Sequence, residues 1–289
     1  MPSTTPFINS LRDVSDNYDA FIIDIFGVIH DGIALFPETV QTLRYLKDAG
    51  KEICLLSNTP KRASGTAAQL DHMGVAPALY DHIVTAGEAT HHALAAREDA
   101  FHQSCGNACW YIGTAYAIEL LHGLDLNMVD TPQDASFILN SMPGTETRDV
   151  EILEQRLKIA LDKDLPMICS NPDLVVNIGD EQYECAGTFA AMYEEMGGRV
   201  VYHGKPHAPV YERCHALLGH GDKSKILAIG DAFHTDIAGA NEFGIDSLLN
   251  LTGIHWDEVT VAGQPDPDKL QALIQLKPQK PTYAIGGFR

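Results

Sequence analysis

Short apolar runs alternate along this chain with segments whose apolar residues recur at helical spacing, and few folds accommodate that pattern. A run too short for a buried helix reads as a strand covered on both faces. A helix between two such strands makes a crossover within a parallel sheet. The first run spans 20–26 (AFIIDIF). A helix follows, with Pro37 in its first turn, Val40, Leu43 and Leu46 on one face, and Gly50 ending it. A strand over 52–56 runs into Ser57-Asn58-Thr59-Pro60, and a helix over 62–73 stops at Gly74.

The middle of the chain carries strand-like runs at 109–112, 137–140 and 167–169, with helix-like stretches at 115–122 and 150–161 between them. Such a set buries a small core of its own. Residues 87–184 are therefore expected to form an inserted α/β domain, with 1–86 and 185–289 as a doubly wound parallel-sheet core. The alternation resumes with helices over 187–196, 208–218 and 236–243 and strands over 199–202, 226–229 and 246–251, the last expected to close the sheet. The tail after Pro265 shows no assignable pattern.

Apolar residues make up 45% of the 289, enough for a real core. The 39 acidic residues outnumber the 20 basic ones, for a net charge of −19. That surface repels nucleic acid and anionic membrane, so an anionic substrate must be held by local cations or a metal. The six cysteines are scattered, without zinc-site spacing, and are expected to be buried thiols in a reducing compartment. The N-terminal segment lacks a signal-peptide pattern, and no apolar run is long enough to span a bilayer, so a cytoplasmic protein is expected. His72, His82, His91, His92 and His102 are expected to be solvated. No glycine-rich nucleotide loop follows a strand, and no nucleophile elbow is present.

Chemistry concentrates at strand ends. Asp24, Ser57, Lys205 and Asp231 each stand where an apolar strand breaks or ends, and in an open α/β sheet those ends face one crevice. Asp24, between Ile23 and Ile25, is the sharpest, because a lone buried carboxylate costs several kcal/mol unless paired. No helix pattern begins beside it, so capping does not explain it. Asp231 directly follows a strand, and with Asp24 it offers the hard oxygen donors that suit Mg²⁺. Asp236, five residues on, is a cap candidate or a support for that site. Lys205, between Gly204 and Pro206, is placed to pair with Asp24 and to neutralise a phosphoryl oxygen. Ser57 adds a hydroxyl beside the backbone N–H groups of Asn58 and Thr59.

At these residues the chain resembles the haloacid-dehalogenase superfamily, class IIA, whose members include nitrophenyl-phosphatase-like and sugar-phosphate hydrolases. The matches run in family order: Asp24-Ile25-Phe26-Gly27-Val28, Leu56-Ser57-Asn58, Gly204-Lys205-Pro206 with Tyr211, and Gly230-Asp231 with Thr235-Asp236-Ile237. Ser170-Asn171-Pro172-Asp173-Leu174 and Leu251-Thr252-Gly253-Ile254 resemble further family segments, and the likeness covers residues 19–254. It implies a Rossmann-like core with a mobile α/β cap. It also implies Asp24 as nucleophile forming an aspartyl-phosphate, with Asp24, Asp231 and the Phe26 backbone carbonyl holding Mg²⁺. Ser57, Asn58 and Lys205 would hold the phosphoryl group, with Asp236 supporting them from behind. The implied substrate is a small phosphorylated metabolite, and a homodimer is compatible with this reading.

Phe26 departs from the family, which carries there an aspartate serving as general acid and then base. That role is worth about 10²–10⁴ in rate, so esters of poor leaving groups are expected to suffer most. His30 and Asp31 are nearby replacements, and rescue by either is not expected. Ala232 and His234 also depart from the family pattern. Two other readings follow: cleavage of a non-ester bond (phosphonate, acyl phosphate or carbon–halogen), or a sensor that binds a phosphate ligand and turns over slowly.

Overall fold

The computed structural model describes residues 5–141, 150–178 and 181–289. Among them, seven parallel strands form the larger sheet, in the order Phe7–Ile8, Tyr283–Ile285, Asp246–Asn250, Ile226–Gly230, Ala20–Asp24, Glu52–Ser57, His82–Thr85. Side chains alternate across it as strand geometry requires. Phe21, Ile23, Ile53, Leu55, Leu227 and Ile229 pack one face beside Leu43, Leu46 and Leu70. Ala20, Ile22, Cys54, Leu56 and Ala228 pack the other beside Val210, Tyr211 and Cys214. The helices Thr39–Asp48 and Ala63–Met73 cover the first face and Ala208–Leu218 the second. Burial on both faces explains why these strands read as continuous apolar runs.

A second, five-stranded parallel sheet has the order Val200–Tyr202, Met167–Cys169, Phe137–Asn140, Ala108–Ile112, Asn127–Val129. It has its own apolar clusters, one around Trp110, Ile138, Leu157, Met167 and Phe189, the other around Cys109, Phe137, Leu139 and Ile168. The fold is thus α/β, mostly parallel and doubly wound, as the alternation of runs implies.

Several elements differ from the sequence reading. Helix Ala186–Glu195 and strand Val200–Tyr202, expected in the core after 184, belong to the second sheet, where Val201 pairs with Ile168. An apolar run does not say which sheet it joins. The strand at 246–251 ends at Asn250 and does not close the larger sheet, which continues through Tyr283–Ile285 and Phe7–Ile8. Between the second sheet and its last helix, Val175–Ile178 and Glu181–Glu184 pair as antiparallel strands. His102 is buried rather than solvated: its Nδ1 lies 2.5 Å from Asp99 Oδ2 and its Nε2 3.0 Å from His203 Nε2. All six cysteines are free and buried. Among the described residues no helix is long and apolar enough to cross a membrane.

Candidate active site

Strand register brings the expected residues together. Asp24 pairs with Leu56 and Ile23 with Ile229, so Asp24, Ser57 and Asp231 meet at the carboxyl edge of the larger sheet. Lys205 arrives differently. It follows Val200–Tyr202, so it ends a strand as expected, but a strand of the second sheet. Gly204 makes this entry possible: its φ is +130°, and a Cβ there would lie 2.4 Å from Asn58 Oδ1.

Lys205 Nζ lies 2.5 Å from Asp24 Oδ1 and 2.9 Å from Asp236 Oδ1, with all three side chains buried. Asp236 Oδ2 accepts the Ala232 N–H at 3.2 Å, so both of its oxygens are committed to the protein. Asp231 Oδ2 accepts the Ile254 N–H at 2.9 Å. Gly253 is pressed against the same carboxylate, since a Cβ there would fall 1.6 Å from Oδ2. Oxygens of Asp24, Asp231 and Asp236 lie within 4.8 Å of one another.

Asn58 is a clamp. Its Oδ1 accepts the Lys205 N–H at 2.6 Å, and its Nδ2 donates to Lys205 O at 3.1 Å and to Asp173 Oδ1 at 2.8 Å. With its side chain so occupied, only its backbone N–H is left for a phosphate. Ser57 Oγ accepts the Thr59 N–H at 3.2 Å and keeps its own proton for a ligand. Phe26 is half-buried and meets the His30 ring edge-on, centroids 5.4 Å apart. His30 is buried, with its Nδ1 accepting the Gly32 N–H at 2.9 Å. Asp31 Oδ1 accepts the N–H groups of Ile33 and Ala34, at 2.8 and 2.7 Å. His30 Nδ1 and Asp31 Oδ1 are thus engaged within their own turn.

These residues enclose a cavity of ≈ 40 Å³, lined by Asp24, Phe26, Ser57, Asp173, Val175 and His234 among others. Pockets that bury a whole drug-sized ligand run to roughly 300–1,000 Å³, so this one suits a transferred group and little more. Asp173, Val175 and Val176 come from the segment leaving the second sheet. The sequence signal for Asp173 was its place in the Ser170–Leu174 stretch, whereas nothing in the side chains announces the backbone donor Ile254.

Burial pushes the Asp24 carboxyl well above the usual range, opposed by Lys205. Burial, with Asp236 beside it, pushes Asp231 up to about 7, opposed by the Ile254 N–H. Burial works against the Lys205 ammonium, but Asp236, Asp24 and Asp173 outweigh it and hold Lys205 protonated well above its ordinary range. Three carboxylates around one ammonium leave negative charge uncompensated, and an oxygen-ligated divalent cation fits that donor set.

A stability profile follows. Between the unfolded carboxyl pKa of 3.8 and about 7, the folded metal-free protein keeps a proton on Asp231 that the unfolded chain gives up. The folded state binds more protons there, so stability falls as pH rises through that window. Thermal melts of chelated protein are expected to give a higher Tm at pH 5 than at pH 7.5. Asp231→Asn is expected to flatten the difference, and an unchanged slope in that variant would remove Asp231 as its source.

A doubly wound sheet with buried aspartates at its strand ends, joined by a buried lysine that enters from the second sheet, is the arrangement of a hydrolase of the haloacid-dehalogenase type. The chain belongs to that family, in class IIA: the model described as haloacid dehalogenase-like hydrolase matches residues 21–127, and a second model of HAD-like hydrolases matches 202–274. A haloacid dehalogenase-like hydrolase structure from Brucella suis is 32% identical, with a TM-score of 0.81 over 98% of this chain and 100% of that one. The p-nitrophenyl phosphatase of Archaeoglobus fulgidus is 25% identical, with a TM-score of 0.71 over 94% and 97%. The 5'-nucleotidase YutF of Bacillus subtilis is 25% identical over 82% of this chain and 88% of its own.

Proposed function

We propose that this hydrolase is a metal-dependent phosphatase that transfers the phosphoryl group of a small phosphorylated metabolite to Asp24 and then to water. The observation that carries the reading is the buried Asp24–Lys205 pair at 2.5 Å, beside Asp231 in a cavity sized for the transferred group. Relatives that act on nitrophenyl phosphate and on nucleotides support the substrate class.

Asp24 attacks phosphorus through one carboxylate oxygen. Lys205 neutralises a phosphoryl oxygen and favours the ionised form of Asp24 against its burial, and the Ser57 hydroxyl and the Asn58 N–H bind the remaining charge. Asp24, Asp231 and the Phe26 carbonyl would hold Mg²⁺, which when bound draws off negative charge from the phosphoryl oxygens. Asp236 keeps Lys205 oriented through its 2.9 Å contact. The unit built on the second sheet, taken as roughly residues 87–203, acts as a cap: Val175 and Val176 exclude water and face the leaving group.

The test is turnover of p-nitrophenyl phosphate with and without Mg²⁺, coupled to trapping of a phosphorylated intermediate. Expected are loss of activity on chelation, recovery on adding Mg²⁺, and a phosphorylated peptide containing Asp24. Metal-independent release of halide, or cleavage of phosphonates with esters untouched, would overturn the reading.

A further inference from the structure

Phe26 leaves a hydrolase of this design without a proton donor beside the nucleophile, and the cavity lining supplies one from the segment that leaves the second sheet. We propose that Asp173 is the general acid and base of this enzyme, a role that rests on the phosphatase reading above.

The assignment comes from what the cavity's carboxylates are already doing. Asp24 and Asp236 are held by Lys205, and Asp231 sits on the Ile254 N–H within the same three-carboxylate cluster. Asp173 lines the cavity outside that cluster, and among the described lining residues it is the fourth and last carboxylate. Its Oδ1 accepts from Asn58 Nδ2 at 2.8 Å, and Asn58 is itself fixed to both the N–H and the carbonyl of Lys205. One carboxyl oxygen is therefore positioned by the catalytic lysine's own backbone, and no side chain or N–H among the described residues donates to Oδ2. The other titratable candidate, His234, lines the same cavity, but its Nε2 is sealed from solvent without a partner among the described residues.

The environment suits the role. Burial raises the proton affinity of Asp173, opposed by Lys205 and the Asn58 hydrogen bond, with Asp236 pushing the same way as burial and His234 against it. Asp231 faces it as a further acidic neighbour. Val175 and Val176, two and three residues on, make the adjoining wall apolar, so the proton goes to the leaving group rather than to bulk water.

The two steps balance. In the first, an Asp24 oxygen bonds to phosphorus, the ester P–O bond breaks, and the Asp173 proton passes to the departing oxygen. In the second, the Asp173 carboxylate takes a proton from water as the water oxygen bonds to phosphorus. The Asp24–phosphorus bond then breaks, releasing inorganic phosphate and restoring both carboxyl groups.

Asp173→Asn tests this with little disturbance, because the amide oxygen still accepts from Asn58. Asp173→Ser, which keeps a hydroxyl for Asn58, is the second variant. Rapid-quench measurements would follow phosphorylation and dephosphorylation with p-nitrophenyl phosphate and with a simple alkyl phosphate, at several pH values. Phosphorylation by the nitrophenyl ester is expected to change less than tenfold in either variant, and by the alkyl ester to fall by about 10²–10⁴. Phosphorylated Asp24 should accumulate, and the basic limb of the first step's pH profile should vanish. Adding Phe26→Asp to Asp173→Asn should recover alkyl-ester turnover. Wild-type leaving-group dependence and pH profile in both variants would overturn the role of Asp173. Absence of any phosphorylated Asp24 in the wild type would overturn the underlying phosphatase reading instead.

Discussion

Asp24→Asn is expected to abolish turnover and leave the fold intact. Asparagine has the shape of aspartate and its amide oxygen can still accept from Lys205, so the 2.5 Å contact survives as a hydrogen bond. The amide is not a nucleophile toward phosphorus, so no covalent intermediate forms. Loss of a covalent nucleophile elsewhere lowers kcat by about 10⁶-fold, and a loss of that order is expected here. Stability should move the other way if it moves at all. Burial and the neighbouring Asp236 and Asp231 all raise the Asp24 carboxyl against the pull of Lys205, so a neutral amide there relieves that repulsion within the cluster of three. Activity and thermal melts on one preparation decide the matter: full activity removes the nucleophile, and an unfolded variant contradicts the electrostatic account.

Lys205→Met is expected to damage folding itself. The ammonium is 3% exposed and is the cation that Asp24 and Asp236 both touch. Removing one partner of a buried ion pair typically destabilises by about 3–5 kcal/mol, because the remaining charge has neither water nor counter-ion. That is a large share of the roughly 5–15 kcal/mol that holds a native domain together. Two features sharpen the prediction. Mildly acid pH should restore part of the loss by protonating the stranded carboxyl groups. The double variant Lys205→Met/Asp236→Asn should be more stable than the single one, since neighbouring changes that share a charge are not additive. Urea unfolding at pH 7 and pH 5 measures both. A Lys205→Met protein as stable as the wild type would show that the pair is solvated in practice.

The site was legible in the sequence where chemistry interrupts an apolar pattern. Asp24 between two isoleucines and Asp231 after Ile229-Gly230 are such interruptions, and the structure places both in one cluster with Lys205. Long-range assignment was not legible, because periodicity reports the faces of an element and says nothing of its neighbour. Val200–Tyr202 reads equally well in either sheet, and only its pairing with Met167–Cys169 decides. Phe7–Ile8 and Tyr283–Ile285 are too short to show any period, yet they extend the larger sheet at one edge. His102 lies in a polar stretch and still buries its ring, because Asp99 and His203 satisfy both of its nitrogens. Asn58 reads as a phosphate contact through its backbone N–H, and what the motif does not reveal is that its side-chain amide clamps Lys205 and Asp173.

The attachment of Lys205 to the second sheet has a consequence for how such an enzyme diversifies. The lysine stands three residues beyond Tyr202, so a change that shifts Val200–Tyr202 drags the phosphate-binding cation with it. Selection for new substrates is therefore not free to remodel that edge. The opposite edge strand, Asn127–Val129, lies four strands away and carries an exposed Met128. Lineages that drift toward new metabolites should accumulate their substitutions on that side first, with the strand next to the lysine held nearly still.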